Sequence, residues 1–274
     1  MSTVPYLAVP NPAHASQHAH VNTVNQVLEN EGILHLQIGF ADDKSSYIQE
    51  LVLNLHRHHN HGLPLTHSAD CGWMWDIRPS LDTFQSNNHQ ARSETMGEFP
   101  WHTDCSYERA APRFFALQVL QPDKCGGGTL SVLKVDQLLS LLSPSARKWL
   151  FTPNYRITVP PEFVKNPTET DIVGNILTMG ANGKTQLRFR EDIITALCPE
   201  AAEAMAELKS VLLGPAAERQ ILHLTADCLP RGSIIMMDNR RWLHARNEVK
   251  DPKRHLRRVR WDARHFVSPA QLGL

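Results

Sequence analysis

Residues 113–135 read RFFALQVLQPDKCGGGTLSVLKV. Two short apolar runs, RFFALQVLQ (113–121) and TLSVLKV (129–135), flank a turn containing Pro and Gly. Runs of this length, rich in aromatic and β-branched residues and bounded by turn formers, are expected to be strands. The same texture recurs in YRITV (155–159), QLRFR (186–190), ILHL (221–224), SIIMMD (233–238) and LRRVRW (256–261). Helical material is inserted among them. Asp136 and Ser143-Pro144 mark helix starts, and PEAAEAMAELKSVLLGP (199–215) carries Met205, Leu208 and Leu212 on one stripe. Many short strands separated by turns predict a β-barrel or sandwich with peripheral helices, mainly β within an α+β class, and not a doubly wound parallel sheet.

Working toward the N-terminus, the stretch from 60 to 100 is loop-rich around CGWMWDIRP (71–79) and is the expected lid. A helix is predicted over about 43–59, with Ile48, Leu51 and Leu55 on one face. Before it, GILHLQIGF (32–40) alternates like a strand, and Val21, Val24, Val27 and Leu28 line a helix that Gly32 stops. No internal repeat or linker divides the chain. The expectation is one domain over 1–274, with an N-terminal segment to about 97 and a β core over about 98–266.

Lys plus Arg and Asp plus Glu each number 28, and a zero net charge argues against a nucleic-acid partner. No run of about 18 apolar residues predicts a membrane span, and the N-terminus does not read as a secretion signal. Five cysteines, odd in number and never closely paired, suit a reducing compartment and a cytoplasmic protein. Histidines cluster at His56, His58, His59 and His61, where a solvated helix end is the expected setting. Oligomeric state is not legible.

The chemistry concentrates in Trp101-His102-Thr103-Asp104. In an extended segment, side chains at i and i+2 point the same way, so His102 and Asp104 can present an imidazole and a carboxylate to one point. His244, in DNRRWLHARN just after SIIMMD, is the candidate third ligand. Two histidines and one carboxylate, with positions left open opposite, form the ligand set of non-haem Fe(II) oxygenases. Zinc accepts the same donors, but the helical H-E-x-x-H pattern of its hydrolases is absent. Thr129 and the pair Arg254 and Arg258 add a hydroxyl and two planar cations suited to the far carboxylate of a chelating keto-diacid. Alternation places Arg254, Leu256, Arg258 and Arg260 on one side of their strand and Arg257, Val259 and Trp261 on the other. For Arg257 and Arg260 a solvated edge strand is the preferred setting.

His102-Thr103-Asp104, Gly128-Thr129, His244 and R-H-L-x-R at 254–258 together resemble, in this order, the taurine dioxygenase and clavaminate synthase-like superfamily. The resemblance covers about residues 98–262. It implies a double-stranded β-helix (jelly-roll) core and an Fe(II)- and 2-oxoglutarate-dependent dioxygenase that consumes O2 and releases succinate and CO2, with ascorbate supportive in vitro. It also implies His102, Asp104 and His244 as iron ligands, Thr129 and Arg254 on 2-oxoglutarate, and Arg258 on either the cosubstrate or an anionic substrate. Since Asp104 keeps the carboxylate that halogenating relatives lack, hydroxylation, desaturation or cyclisation is implied. A small anionic or zwitterionic substrate is expected, such as an amino acid, a sulfonate or a specialised metabolite. Arg190, Tyr107 and Trp75 are candidates to touch it. Trp73, Glu98 and Cys105 are weighed beside them, with Cys105 expected as a small buried filler. The competing readings are a metal-dependent isomerase or hydrolase on a cupin-like barrel and a non-catalytic 2-oxoglutarate sensor.

Overall fold

The computed structural model describes residues 4–66, 72–79, 91–180 and 182–267. The first apolar run of the decisive segment forms strand β5 (Ala110–Gln121), buried on both sides. Phe114 and Ala116 face one core cluster, whereas Phe115, Leu117 and Val119 face another. The neighbouring strand β13 (Ser233–Asp238) does the same, sending Ile234 and Met236 one way and Ile235 and Met237 the other. A strand apolar on both faces must be covered twice, and this one is.

A six-stranded sheet runs in the order β1 (Tyr6–Val9), β2 (Ile33–Ile38), β13, β5, β15 (His255–His265) and β3 (Trp75–Ile77). Only the β1–β2 pair is parallel. Helices α1 (His18–Asn30) and α2 (Ser46–His59) cover its outer face through Val21, Val24, Leu28, Ile48, Leu51 and Leu55. Its inner face packs on an antiparallel four-stranded sheet, β12 (Leu222–Leu224), β6 (Leu130–Lys134), β14 (Trp242–Arg246) and β4 (Phe99–His102). Leu133 and Leu243 point away from that interface into a third cluster, closed by α3 (Val135–Ser140), α4 (Pro144–Leu150) and α5 (Pro199–Leu212). The short α6 (Pro215–Glu218), the pair β9 (Leu177–Met179) and β10 (Thr185–Leu187), and the sheet β11 (Ile194–Ala196), β7 (Tyr155–Thr158), β8 (Asp171–Gly174) complete the layers. Among the described residues no helix is long and apolar enough to cross a membrane.

Local chemistry explains several boundaries. Ser143 caps α4 by accepting the Ala146 N–H at 3.1 Å, with Pro144 following it. Asp136 is not a cap: α3 begins one residue earlier and Asp136 sits in its first turn, where its charge suits the helix dipole. The run QLRFR does not stay in a strand, since β10 ends at Leu187 and Phe189 is pulled toward Thr103, whose amide donates to the Phe189 carbonyl at 2.7 Å. The segment 60–100 holds more structure than expected, because β3 and β4 lie within it; the rest of the expected lid, 67–71 and 80–90, falls outside the described residues. With β3 on its flank, β15 is not an edge strand. Arg257 bonds Asp76 at 2.6 Å, and Arg260 is largely enclosed.

His61 is a second correction, for it is core and not a solvated helix end. Its ring stacks on Phe114 (4.8 Å, 5°), its Nδ1 accepts from Trp261 Nε1 at 3.0 Å, and its Nε2 donates to Asn25 Oδ1 at 2.9 Å. Only the neutral tautomer satisfies both bonds. Burial lowers its pKa from 6.5 to about 4, Arg113 and His59 pushing the same way and Asp262 and Glu29 opposing. The unfolded chain therefore takes up a proton below about pH 6.5 that the folded chain refuses, so the stabilisation is whole above that pH and is lost on acidification toward about 4. Denaturant unfolding at pH 7, 6 and 5 should show wild-type protein losing up to about 1.4 kcal/mol more per pH unit than His61→Gln; parallel profiles would contradict this.

Candidate metal centre

His102 is the last residue of β4, and His244 sits in mid-β14 directly opposite it in the antiparallel register. That pairing alone brings the two rings to 4.2 Å between centroids. β14 is one of the strands that the sequence reading missed. Asp104 lies two residues beyond β4, where the chain turns through Cys105 at φ +54°, a left-handed conformation uncommon for a residue with a side chain. Asn239 secures this turn from the β13–β14 connection. Its Oδ1 accepts the Asp104 N–H at 2.7 Å, and its Nδ2 donates to the carbonyls of Asp104 (2.9 Å) and Pro112 (3.0 Å).

The three side chains converge as expected. Asp104 Oδ1 lies 3.8 Å from Nε2 of both His102 and His244, and one ligand atom from each residue falls within 4.8 Å of the others. All three are buried. The His102 Nδ1–H donates to the Pro100 carbonyl at 2.8 Å, which fixes the tautomer and leaves the Nε2 lone pair facing Asp104. Burial, reinforced by the adjacent His244, holds His102 well below the ordinary histidine range, so it is a neutral donor. Burial opposes ionisation of Asp104, but Arg258 and His244 outweigh it and keep the carboxyl far below the usual range. Arg258 Nη1 donates to Oδ1 at 3.1 Å and Oδ2 at 2.9 Å. With ligand bonds of about 2.0–2.2 Å, one first-row divalent ion can span the 3.8 Å separations. Two imidazoles and one carboxylate fit Fe(II).

A cavity leads from the triad between the two sheets. Its walls are apolar, from Phe115, Leu117, Val119, Leu130, Ile235 and Leu256, and its far end carries Arg254, Asp123, Gly127 and Gly128. Asp123 spends its carboxylate on the backbone N–H groups of Lys250 (2.7 Å), Asp251 (3.1 Å) and Cys125 (2.8 Å). The Arg254 guanidinium has no hydrogen bond or ion pair among the described residues, and burial depresses its pKa to about 10. The glycine run makes its space: Gly128 has φ +66°, and a Cβ there would come within 2.7 Å of Arg254 Nε. Thr129 does not line this cavity. The wall passes from Gly128 to Leu130, while the Thr129 amide donates to Asn247 Oδ1 at 2.7 Å.

A second chamber opens from the triad, lined by Trp75, Phe99, Tyr107, Phe163, Arg190, Arg258 and Arg260. Trp75, Tyr107 and Arg190 are thus brought to the centre. Tyr107 stacks on Phe163 (5.3 Å, 12°), and Trp75 lies under the guanidinium carbons of Arg258 (4.4 Å) and Arg260 (5.5 Å). Arg190 forms a bidentate pair with Asp192 at 2.8 and 2.9 Å. Cys105 is buried as expected but also meets Arg260 Nη1. Trp73 and Glu98 are elsewhere: Trp73 lines a surface hollow with Lys44 and Arg257, and Glu98 is exposed. Sequence reasoning missed Asn239, Asp123 and Arg246. Arg246 donates to the carbonyls of Ser93 (3.0 Å), Thr95 (3.0 Å) and Gly97, fastening the segment before β4. Asn239 and Arg246 bracket His244 within DNRRWLHARN, the one sequence signal that pointed at them.

No family model matches the chain. It is 26% identical over 200 residues to 3-((Z)-2-isocyanoethenyl)-1H-indole synthase of Fischerella ambigua (strain UTEX 1903), covering 68% of this chain and 71% of that protein. It is 27% identical over 190 residues to the L-asparagine oxygenase of Streptomyces coelicolor, 69% of this chain but only about half (51%) of that relative. Asparagine oxygenase, solved with Fe(II), 3-hydroxyasparagine and succinate, superposes with a TM-score of 0.67 at 19% identity, over 90% of this chain and 80% of its own. The non-haem iron oxygenase OrfP with Fe, succinate and dihydroxyarginine gives 0.70 at 16% identity, over 94% of both chains. The chain has the fold of these non-haem iron oxygenases. This likeness of fold spans 90–94% of the chain, more than the residues 98–262 that the four short motifs cover.

Because Asn239 ties the Asp104 backbone to the β13–β14 connection through both its N–H and its carbonyl, Asn239→Ala should weaken Co(II) or Fe(II) binding roughly 10–100-fold in a calorimetric titration. Unchanged metal affinity would show that the turn holds itself.

Proposed function

We propose that the protein is an Fe(II)- and 2-oxoglutarate-dependent oxygenase, built on a double-stranded β-helix core, that oxidises a C–H bond of a small organic acid. The observation that carries this reading is the buried Arg254 guanidinium, with no ion-pair partner among the described residues, at the far end of an apolar cavity that begins at the two-histidine, one-carboxylate cluster. An unpaired buried cation is costly, and a dicarboxylate laid along the cavity neutralises it. A metal-dependent isomerase or hydrolase would leave that cation unexplained.

His102, Asp104 and His244 would hold the iron, and Arg254 the distal carboxylate of 2-oxoglutarate. When bound, the ferrous centre with 2-oxoglutarate and O2 supplies the oxidising equivalents, releasing succinate and CO2 as a substrate C–H bond is oxidised. The chain's own residues position and protect. The apolar walls exclude water and leave the cosubstrate one polar grip at its far end. Arg258 keeps the Asp104 carboxylate ionised and oriented, so its role is at the metal more than at the cosubstrate tail. The aromatic chamber holds substrate against the open side of the cluster. Hydroxylation, desaturation and cyclisation all fit this arrangement.

Two measurements test the assignment. His102→Ala and Asp104→Ala should each abolish 2-oxoglutarate-dependent succinate formation, and full turnover by either would sink the ligand set. Arg254→Gln should raise KM for 2-oxoglutarate roughly 10–100-fold, with Arg254→Lys intermediate because an ammonium lacks the bidentate fork. Equal KM values in steady-state assays would remove Arg254 from the cosubstrate site.

A further inference from the structure

Four arginines, Arg92, Arg190, Arg258 and Arg260, line the second chamber beside the metal centre, and they are not equivalent. Arg258 is occupied by Asp104, Arg190 by Asp192, and Arg92 lies 3.7 Å from the same Asp192 carboxylate. Arg260 is different. Its side-chain contacts are the Cys105 thiol and the face of Trp75, and no carboxylate lies within ion-pairing distance among the described residues. Glu108, the nearby acid in the turn, pairs with Lys165 at 3.2 Å and does not line the chamber. Glu94 does not line it either, and its carboxylate accepts the Trp75 indole N–H at 2.7 Å.

The inverse count is as informative. Among the described residues, Asp104 is the one carboxylate lining this chamber, and it is committed to Arg258 and to the metal cluster. Among the described residues, a substrate ammonium placed here would meet a cationic wall with no uncommitted carboxylate, while a carboxylate would meet a guanidinium that has no carboxylate within ion-pairing distance. The remaining surface is flat and aromatic, from Trp75, Phe99, Tyr107 and Phe163.

We infer that Arg260 is the substrate anchor, and that the chamber selects a carboxylate with a planar or aromatic body and no free ammonium group. This rests on the oxygenase reading for its chemistry, but the binding claim stands on the chamber alone. The substrate's carboxylate pairs with Arg260, its flat body lies against Trp75 and the Tyr107–Phe163 stack, and its reacting carbon turns toward the triad. Acids whose amino group is absent, acylated or otherwise uncharged belong to this class, and free α-amino acids do not.

The test is a charge series on one skeleton, titrated calorimetrically into the full chain loaded with Fe(II) and 2-oxoglutarate without O2, and into metal-free protein. The probes are 3-phenylpropionate, phenylalanine and 2-phenylethylamine. Wild-type protein should bind 3-phenylpropionate at least tenfold more tightly than phenylalanine, and 2-phenylethylamine not at all. Arg260→Gln should weaken 3-phenylpropionate roughly 10–100-fold and Arg260→Lys less, with 2-oxoglutarate affinity unchanged in both. If Arg260→Gln does not fold, the wild-type series decides by itself. Phenylalanine binding as tightly as 3-phenylpropionate, no binding of 3-phenylpropionate, or full affinity in Arg260→Gln would overturn the inference. Failure of 2-oxoglutarate to bind wild-type protein would instead overturn the oxygenase reading and leave the anchor standing or falling on the metal-free titrations.

Discussion

One buried carboxylate organises this molecule. Asp104 sits within 3.8 Å of two imidazole nitrogens and accepts two contacts from the Arg258 guanidinium, all in a site closed to solvent. A charge so enclosed is tolerable only when it is paired and held. Much of the surrounding fold serves that end: Asn239 ties its backbone, the β4–β14 pairing brings the histidines, and β15 delivers the arginine.

Strand β15 has a larger part than supplying one residue. Arg254 immediately before it and Arg258 and Arg260 within it are spaced along one face, so the chain sets out three cations in a row. The first reaches the far end of the apolar cavity, the second the metal cluster, and the third the aromatic chamber. A register irregularity between His255 and Leu256 offsets the first from the other two. The two chambers therefore share one ruler, with the metal cluster between them. What distinguishes the three arginines is the partner each has: no hydrogen-bond or ion-pair partner among the described residues, a carboxylate ligand, and a thiol with an indole face.

The regular parts of this arrangement were legible in the sequence. β5, β6 and β13 announce themselves as short apolar runs between turn formers, and the H-x-D pair, His244 and the arginines stand out by chemical type and order. What escaped has physical causes. β14 reads WLHAR, without a β-branched residue, so its composition did not mark it as a strand although it carries a ligand. Arg260 was placed on the correct side of its strand but judged solvated, because its cover, β3, lies in a segment whose composition reads as loop. His61 belongs to a polar histidine run and is buried only by distant partners, Asn25 and Trp261. Thr129 follows the glycine turn in the expected position, yet the backbone geometry of that turn presents Gly128 and Leu130 to the cavity instead.

The opposition of His244 to His102 across β14 and β4 carries a consequence for how the active state is made. Because side chains alternate from face to face along a strand, a slip of a single residue would turn one imidazole out of the cluster and into the packing behind the sheet. Metal capture thus reads out whether two segments more than a hundred residues apart have zipped in the right phase, and a mispaired chain would be recognisable as one that keeps its secondary structure but cannot retain the ion.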